Sequence, residues 1–461
     1  MRVGLAKRPL SKIAAVLGPL VAALLALLVT GSAAGAQAGA GGRLMGVASC
    51  AGSTCHGRAE GNGAVVRQDE IATWQEPSSP AGAHSRAYAA LTTLRGRQIG
   101  ATLGIEPTSA GECLGCHATW SPGAARGPEF QLNDGVGCES CHGAAERWLP
   151  THFTTGGSRA ANVAAGMTPL ERPAVRAKVC LDCHYGSSDA GQFAGHRMMA
   201  AGHPRISFEL DLFSALQQHH DADGDYARRK SSPSSVRLWA VGQAEALRRS
   251  LALFRQPGLA TQGVFPEFAF YDCHSCHRAI TDAPQRRLTF ETNPGRPIAF
   301  ADPPYNDEHM IMLSVVARVL APAQAARFDG AVAAFHRAMG ESRPEAVAAA
   351  QALEVATASL GDVLDARGAG SDEAFQVIAA IGDKATAPRF TDYAGSAQAV
   401  MAVDTLLNAL VKEGRVTVGA AAGIRAAVNR AYAAVESPES YNPGAFRVAL
   451  GQAARSIGTL R

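Results

Sequence analysis

The chain has 461 residues, a formal net charge of +3, 14 histidines and 10 cysteines. Acidic and basic residues nearly balance and no concentrated basic surface is written into the sequence, which speaks against nucleic acid as a partner. Aromatic residues are only 6% of so long a chain, which leaves part of the core to be filled by something other than large side chains.

The first predicted element is a leader. Arg2, Lys7, Arg8 and Lys12 give a positive start, an uncharged run rich in Ala, Leu and Val extends from Ile13 to Val29, and Ala34-Gly35-Ala36 supplies the small residues of a cleavage site before Gln37. Basic, then apolar, then small is the order of a secretory signal, so residues 1–36 are expected to be removed on export to the periplasm. Losing those four basic residues takes the formal charge from +3 to −1. An uncleaved anchor is the alternative. It is the one expected membrane contact, since no later segment reads as long and apolar enough to span a bilayer.

Residues 37–205 are dominated by Gly, Ser, Pro and Ala and carry only short periodic apolar segments. Cysteine pairs punctuate them: Cys50-Ala51-Gly52-Ser53-Thr54-Cys55-His56, then Cys113-Leu114-Gly115-Cys116-His117, Cys138-Glu139-Ser140-Cys141-His142 and Cys180-Leu181-Asp182-Cys183-His184. A fifth, Cys273-His274-Ser275-Cys276-His277, lies further on. Every cysteine is used, and a histidine follows each second one. Two thiols on one short turn add to the two vinyl groups of a haem, and the next residue then lies under the iron, where an imidazole supplies the proximal ligand. The longer first spacer needs a looser loop, which Gly52, Ser53 and Thr54 supply. Zinc knuckles and redox dithiols use paired cysteines without requiring those histidines. The spacing therefore predicts five covalently attached haem c groups, with His56, His117, His142, His184 and His277 proximal. Burying apolar porphyrins offsets the entropy of ordering these loops, so the apoprotein is expected to be largely unfolded.

Nine histidines remain for the opposite faces. His84 opens a helical stretch, Ser85-Arg86-Ala87-Tyr88. His152 follows its nearest haem motif closely, and His203 sits between Gly202 and Pro204 in a rigid turn. His196 lies on the same segment, and His309 opens the apolar run Met310-Ile311-Met312-Leu313. These five are the candidate distal ligands. His219, His220 and His336 carry no context that favours a ligand over a solvated role, and His274 is trapped between two attachment cysteines.

Residues 206–300 mix helix signals, Phe208–Phe213 and Val236–Phe254, with loops. Asp221-Ala222-Asp223-Gly224-Asp225 has the acidic spacing of a calcium loop, but its glycine is misplaced and Ser232 stands where a glutamate is required, so it reads as a solvated turn. Arg228-Arg229-Lys230 reads as an exposed face that would suit an acidic redox partner. From about Asp307 the chain becomes alanine-rich with helical spacing, over 309–320, 323–339, 344–366, 396–412 and 418–435. Ala333, Phe335 and Met339 with Val347, Leu353 and Leu360 form core stripes of a bundle, whose expected roles are covering haems or making a homodimer contact. The predicted fold is mainly α: leader 1–36, a multihaem core with much irregular loop over 37–300, and a C-terminal helical bundle over 301–461.

The stretch from Val47 to His203 resembles the cytochrome c-554 family. The likeness rests on Ser49-Cys50, Cys55-His56-Gly57, the His84–Tyr88 segment, Glu112–His117, Asp134–Gly143, Cys180–His184 and Ala201-Gly202-His203-Pro204. It implies haems packed in stacked and perpendicular pairs, the five proximal histidines named above, and His84 as a distal ligand. The fifth motif and the long cysteine-free C-terminal region depart from that pattern. No lysine replaces a proximal histidine, which counts against the nitrite-reducing activity found in the wider class. The expected function is periplasmic electron transfer between redox proteins, soluble or membrane-bound. The alternative is an oxidoreductase with one open haem acting on a small nitrogen or sulfur compound.

Overall fold

The computed structural model describes residues 42–61, 67–154, 157–205, 207–219, 233–261, 267–278, 296–298, 302–387 and 393–461. The leader, the 221–225 acidic turn, the 228–230 basic run and His220 lie outside them. The protein is mainly helical, and the described residues contain only two isolated β-bridges, Leu44 with Arg126 and Tyr271 with Tyr305.

The first part is a chain of short helices joined by turns: α1 (Glu70–Gln75), α2 (Ala87–Leu91), α3 (Leu94–Leu103), α4 (Gly111–His117), α5 (Cys138–His142), α6 (Leu149–His152), α7 (Arg159–Ala164), α8 (Pro173–His184), α9 (His196–Ala200) and α10 (Leu210–Leu216). Most are too short to be stable alone. Their buried apolar side chains form small separate clusters, such as Leu91, Leu114 and Ala118, or Ala145, Trp148 and Met167. Side chains alone do not make a continuous core here.

The second part is built from long helices: α11 (Ser235–Phe254), α12 (Glu308–Leu320), α13 (Pro322–Met339), α14 (Arg343–Ala366), α15 (Ser371–Thr386), α16 (Tyr393–Lys412), α17 (Val418–Ala433) and α18 (Pro443–Gly458). Four of them open on a polar residue whose side chain accepts a first-turn amide: Ser234, Ser342, Thr417 and Asn442. One hydrophobic cluster runs from Val236 to Ile457. At its centre Phe335 meets Phe254 and Tyr305 edge to face, with ring centroids 5.6 and 4.9 Å apart. Because α11 lies in this cluster, the bundle recruits a segment from before the boundary expected at residue 301.

A second correction concerns hydropathy. Helices α14 and α16 are long and apolar enough, by length and composition, to cross a membrane. Alanine raises their hydropathy, and α16 spends that apolar surface inside the bundle, where 89% of its most apolar window is buried.

The two parts are docked tightly. Helix α8 packs on α11, and α10 packs on α11 and α16. The Tyr185 hydroxyl donates to Ser250 Oγ at 2.6 Å, and Arg249 pairs with Asp182 at 2.7 Å. Gln398 Nε2 donates to the Phe208 carbonyl at 3.1 Å, and the Thr405 hydroxyl to buried Glu209 at 3.1 Å.

Candidate haem centres

Three of the C-x-x-C-H motifs end helices. In α4, α5 and α8 the two cysteines are three residues apart and the histidine is four from the first, so all three side chains project from one helix face. The fifth motif starts on a 3₁₀ turn over Cys273–Ser275, and the His277 amide donates to the Cys273 carbonyl at 2.8 Å. The first motif reaches the same end by another route. Its longer spacer folds back, with the Cys55 amide donating to Gly52 at 2.8 Å and the His56 amide to Cys50 at 3.1 Å. Gly57 completes this loop, since a Cβ there would lie 2.0 Å from the Ala51 carbonyl oxygen.

Among the described residues, each of the five histidines that end a motif faces one other imidazole. His56 lies across from His152 with ring centroids 6.0 Å apart, His84 from His184 at 6.1 Å, His117 from His203 at 6.3 Å, His142 from His219 at 6.3 Å, and His196 from His277 at 6.2 Å. No ring is used twice. An imidazole nitrogen binds a first-row metal at about 2 Å and lies about 1.1 Å from its ring centre, so two rings on opposite sides of one iron have centroids roughly 6.2 Å apart. The observed separations match that geometry, and haem c fits the residues present.

The second imidazoles are held by local structure. His84 follows the Pro80–Gly82 turn, and its carbonyl accepts the Val136 amide at 3.0 Å. Gly135, at φ 75°, makes this approach possible, because a Cβ would lie 2.7 Å from the same oxygen. His152 ends α6 and stands edge-on to Trp148 at 5.5 Å. The turn carrying His203 is clamped by Arg95, which donates to the Gly202 carbonyl at 2.6 and 3.0 Å. The His196 amide donates to Glu267 at 2.7 Å.

Tautomers agree with these roles. Nδ1 of His117, His203 and His219 lies 2.8–2.9 Å from the carbonyls of Ala87, Pro204 and Gln217 respectively. An N–H there fixes the ring and leaves the Nε2 lone pair for a metal. His56 instead places Nδ1 3.0 Å from the Glu70 carboxylate. Burial pushes His184 down to about 4 and holds His84 and His203 below the ordinary imidazole value, which favours the neutral, ligating form.

Two expectations change. His309 meets none of the five motif histidines. It is buried at the start of α12, with Nδ1 2.7 Å from Gln243 Oε1, and Gln243 in turn donates to Gln398 at 3.0 Å. Glu308 and His309 at the α12 N-terminus border the cavity that the first four motifs line, but the Nδ1 contact to Gln243 ties this imidazole to an internal polar chain, and it stands across from no motif histidine among the described residues. His219, which no local pattern singled out, stands opposite His142. It follows α10 at the edge of a loop, and only the fold brings it to α5. Of the remaining histidines, His336 is buried 3.2 Å from Asp307, and His274 Nδ1 lies 2.6 Å from the Pro438 carbonyl.

The first four motifs and their facing histidines line one continuous cavity of about 1270 Å³. Around it the motifs are ordered by neighbouring thiols: Cys50 beside Cys138, Cys141 near Cys180, and Cys183 beside Cys116. The order in space is therefore first, third, fourth, second. The fifth motif is not among the lining residues, and its His277 side chain is 54% exposed. Arg205 lines the cavity and reaches outward to Cys273 Sγ at 3.4 Å.

Residues 49–143, about a fifth of the chain and holding the first three motifs, match the family model described as cytochrome c554 and c-prime. No curated protein and no solved structure matches the chain. The attachment motifs and this match make the chain a c-type cytochrome, an electron carrier with covalently bound haem c that resembles the cytochrome c-554 family.

Proposed function

We propose that the protein is an exported pentahaem cytochrome whose irons are all closed by two imidazoles, and that it relays electrons between periplasmic or membrane-bound redox proteins. Five one-to-one histidine pairs, each joining a motif histidine to one from elsewhere in the fold, carry this reading. Each haem supplies one-electron chemistry when bound, and two nitrogen ligands per iron keep reorganisation small. The chain's part is to hold ten imidazoles rigidly, keep four sites together in one cavity, and leave the fifth near solvent. The exposed His277 supports that end as a point of exchange with partners. Export rests on the leader.

The oxidoreductase alternative requires a motif histidine that faces no second imidazole, and none among the described residues does so. Intact mass of the mature, exported protein tests the reading: a chain starting near Gln37 and carrying five tetrapyrrole additions supports it. A smaller haem count or a retained leader contradicts it.

A further inference from the structure

The motif histidines are not equivalent on their outer edges. His56 Nδ1 lies 3.0 Å from Glu70 Oε2, and the Glu70 side chain is only 11% exposed. His117 has a neutral backbone carbonyl in the same place, that of Ala87 at 2.8 Å. His184 Nδ1 is buried and has no hydrogen-bond acceptor among the described residues. His277 has a carboxylate nearby, Glu439, but at 3.6 Å with the side chains 54% and 64% exposed, where water screens it.

A carboxylate accepting the Nδ1 proton shifts electron density onto the imidazole and makes it a more basic ligand. Nearby negative charge in a partly desolvated site also favours the more positive metal state. Both effects stabilise ferric over ferrous iron. A ring with no acceptor receives neither.

We propose that Glu70 is a positioning and tuning residue that makes the His56 site harder to reduce than the His117 and His184 sites of the same cavity, while the His184 site, with no Nδ1 acceptor among the described residues, takes electrons readily. The first and fourth motifs are separated in space by the third, so this difference gives the relay a built-in direction, from the His56 end inward. Glu70 is well placed for this. It is the first residue of α1, and the Ile71 amide donates to the His56 carbonyl at 3.0 Å, so backbone and side chain fix the same histidine.

The inference rests on the two-imidazole reading and is tested separately from it. In E70Q, which keeps the shape and removes the charge, five haems and low-spin spectra should persist while the potential of the His56 site, followed by its assigned haem-methyl NMR signals, rises. A tenfold change in that equilibrium is the expected size, 59 mV for a one-electron couple. E70D, which keeps the charge, should restore most of the shift. An E70Q protein with five low-spin haems and an unmoved His56-site potential overturns the proposal. Should E70Q lose a haem, the wild-type protein still decides. Its haem-methyl NMR signals, assigned to sites, should show the His56 site oxidised before the His117 and His184 sites, and oxidation of the His184 site ahead of it overturns the proposal.

Discussion

The haem-bearing part and the helical bundle solve the burial problem in opposite ways. In the bundle, one apolar cluster from Val236 to Ile457 joins long helices, and aromatic side chains fill its centre. In the haem-bearing part the helices are mostly short, the apolar clusters are small and separate, and a cavity of about 1270 Å³ is ringed by cysteine and histidine. One part is a core of side chains. The other is a shell whose small clusters leave room for apolar cofactors, which would supply the burial its loops otherwise lack.

That contrast breaks most visibly when haem is withheld. Expressed without haem attachment, the first part is expected to lose its structure while α11–α18 keep theirs, so circular dichroism should retain much of the helical signal and protease should remove residues before about 233. Loss of all helix would contradict a self-sufficient bundle. The converse is Phe335→Ala, which opens the bundle centre and should destabilise it by about 3–5 kcal/mol. Chemical denaturation should show an earlier bundle transition, with haem spectra unchanged before it.

Substituting one facing imidazole sharpens the comparison. His219→Ala should leave five attached haems but turn one of them high-spin and reactive to carbon monoxide, while His309→Leu should alter no haem spectrum. Reversal of these results would restore His309 as the ligand.

A smaller effect comes from the seam between the parts. Burial, and then the neighbouring Asp211 carboxylate, pushes Glu209 up to about 8. The folded state therefore holds a proton that the unfolded chain releases near its ordinary carboxylate value of about 4.3. Its contribution is fully present below that lower value and is lost as pH rises through about 8. Thermal stability should fall between about pH 4.3 and pH 8 and level off above that, and Glu209→Gln should flatten that fall. An unchanged profile would remove Glu209 from the seam's energetics.

The sequence was most legible where chemistry is local. The attachment cysteines and adjacent histidines fall within five to seven residues of one another, so spacing alone is enough to propose them. The long helices also show in their periodicity and caps, although α15 and α18 went unread despite clear stripes of Phe375, Ile378 and Ile381 in the one and Phe446, Leu450 and Ile457 in the other. Facing imidazoles depend on where distant loops land. His84 and His203 stand in distinctive turns, whereas the sequence around His219 carries no such mark, and its Nδ1 contact to the Gln217 carbonyl is visible only in the fold. His309 misled for a related reason: an imidazole at a helix start suits a haem or a buried polar chain equally well until the helix's neighbours are known. The assignment of α11 to the bundle was hidden too, since its apolar face does not say which part it covers.

The central claim is that every iron is gripped by two imidazoles. Magnetic circular dichroism of the oxidised protein, followed by exposure of the reduced protein to carbon monoxide, tests it most directly. Five low-spin centres and no carbon monoxide adduct are predicted; one high-spin centre in the native, fully haem-loaded protein would contradict it.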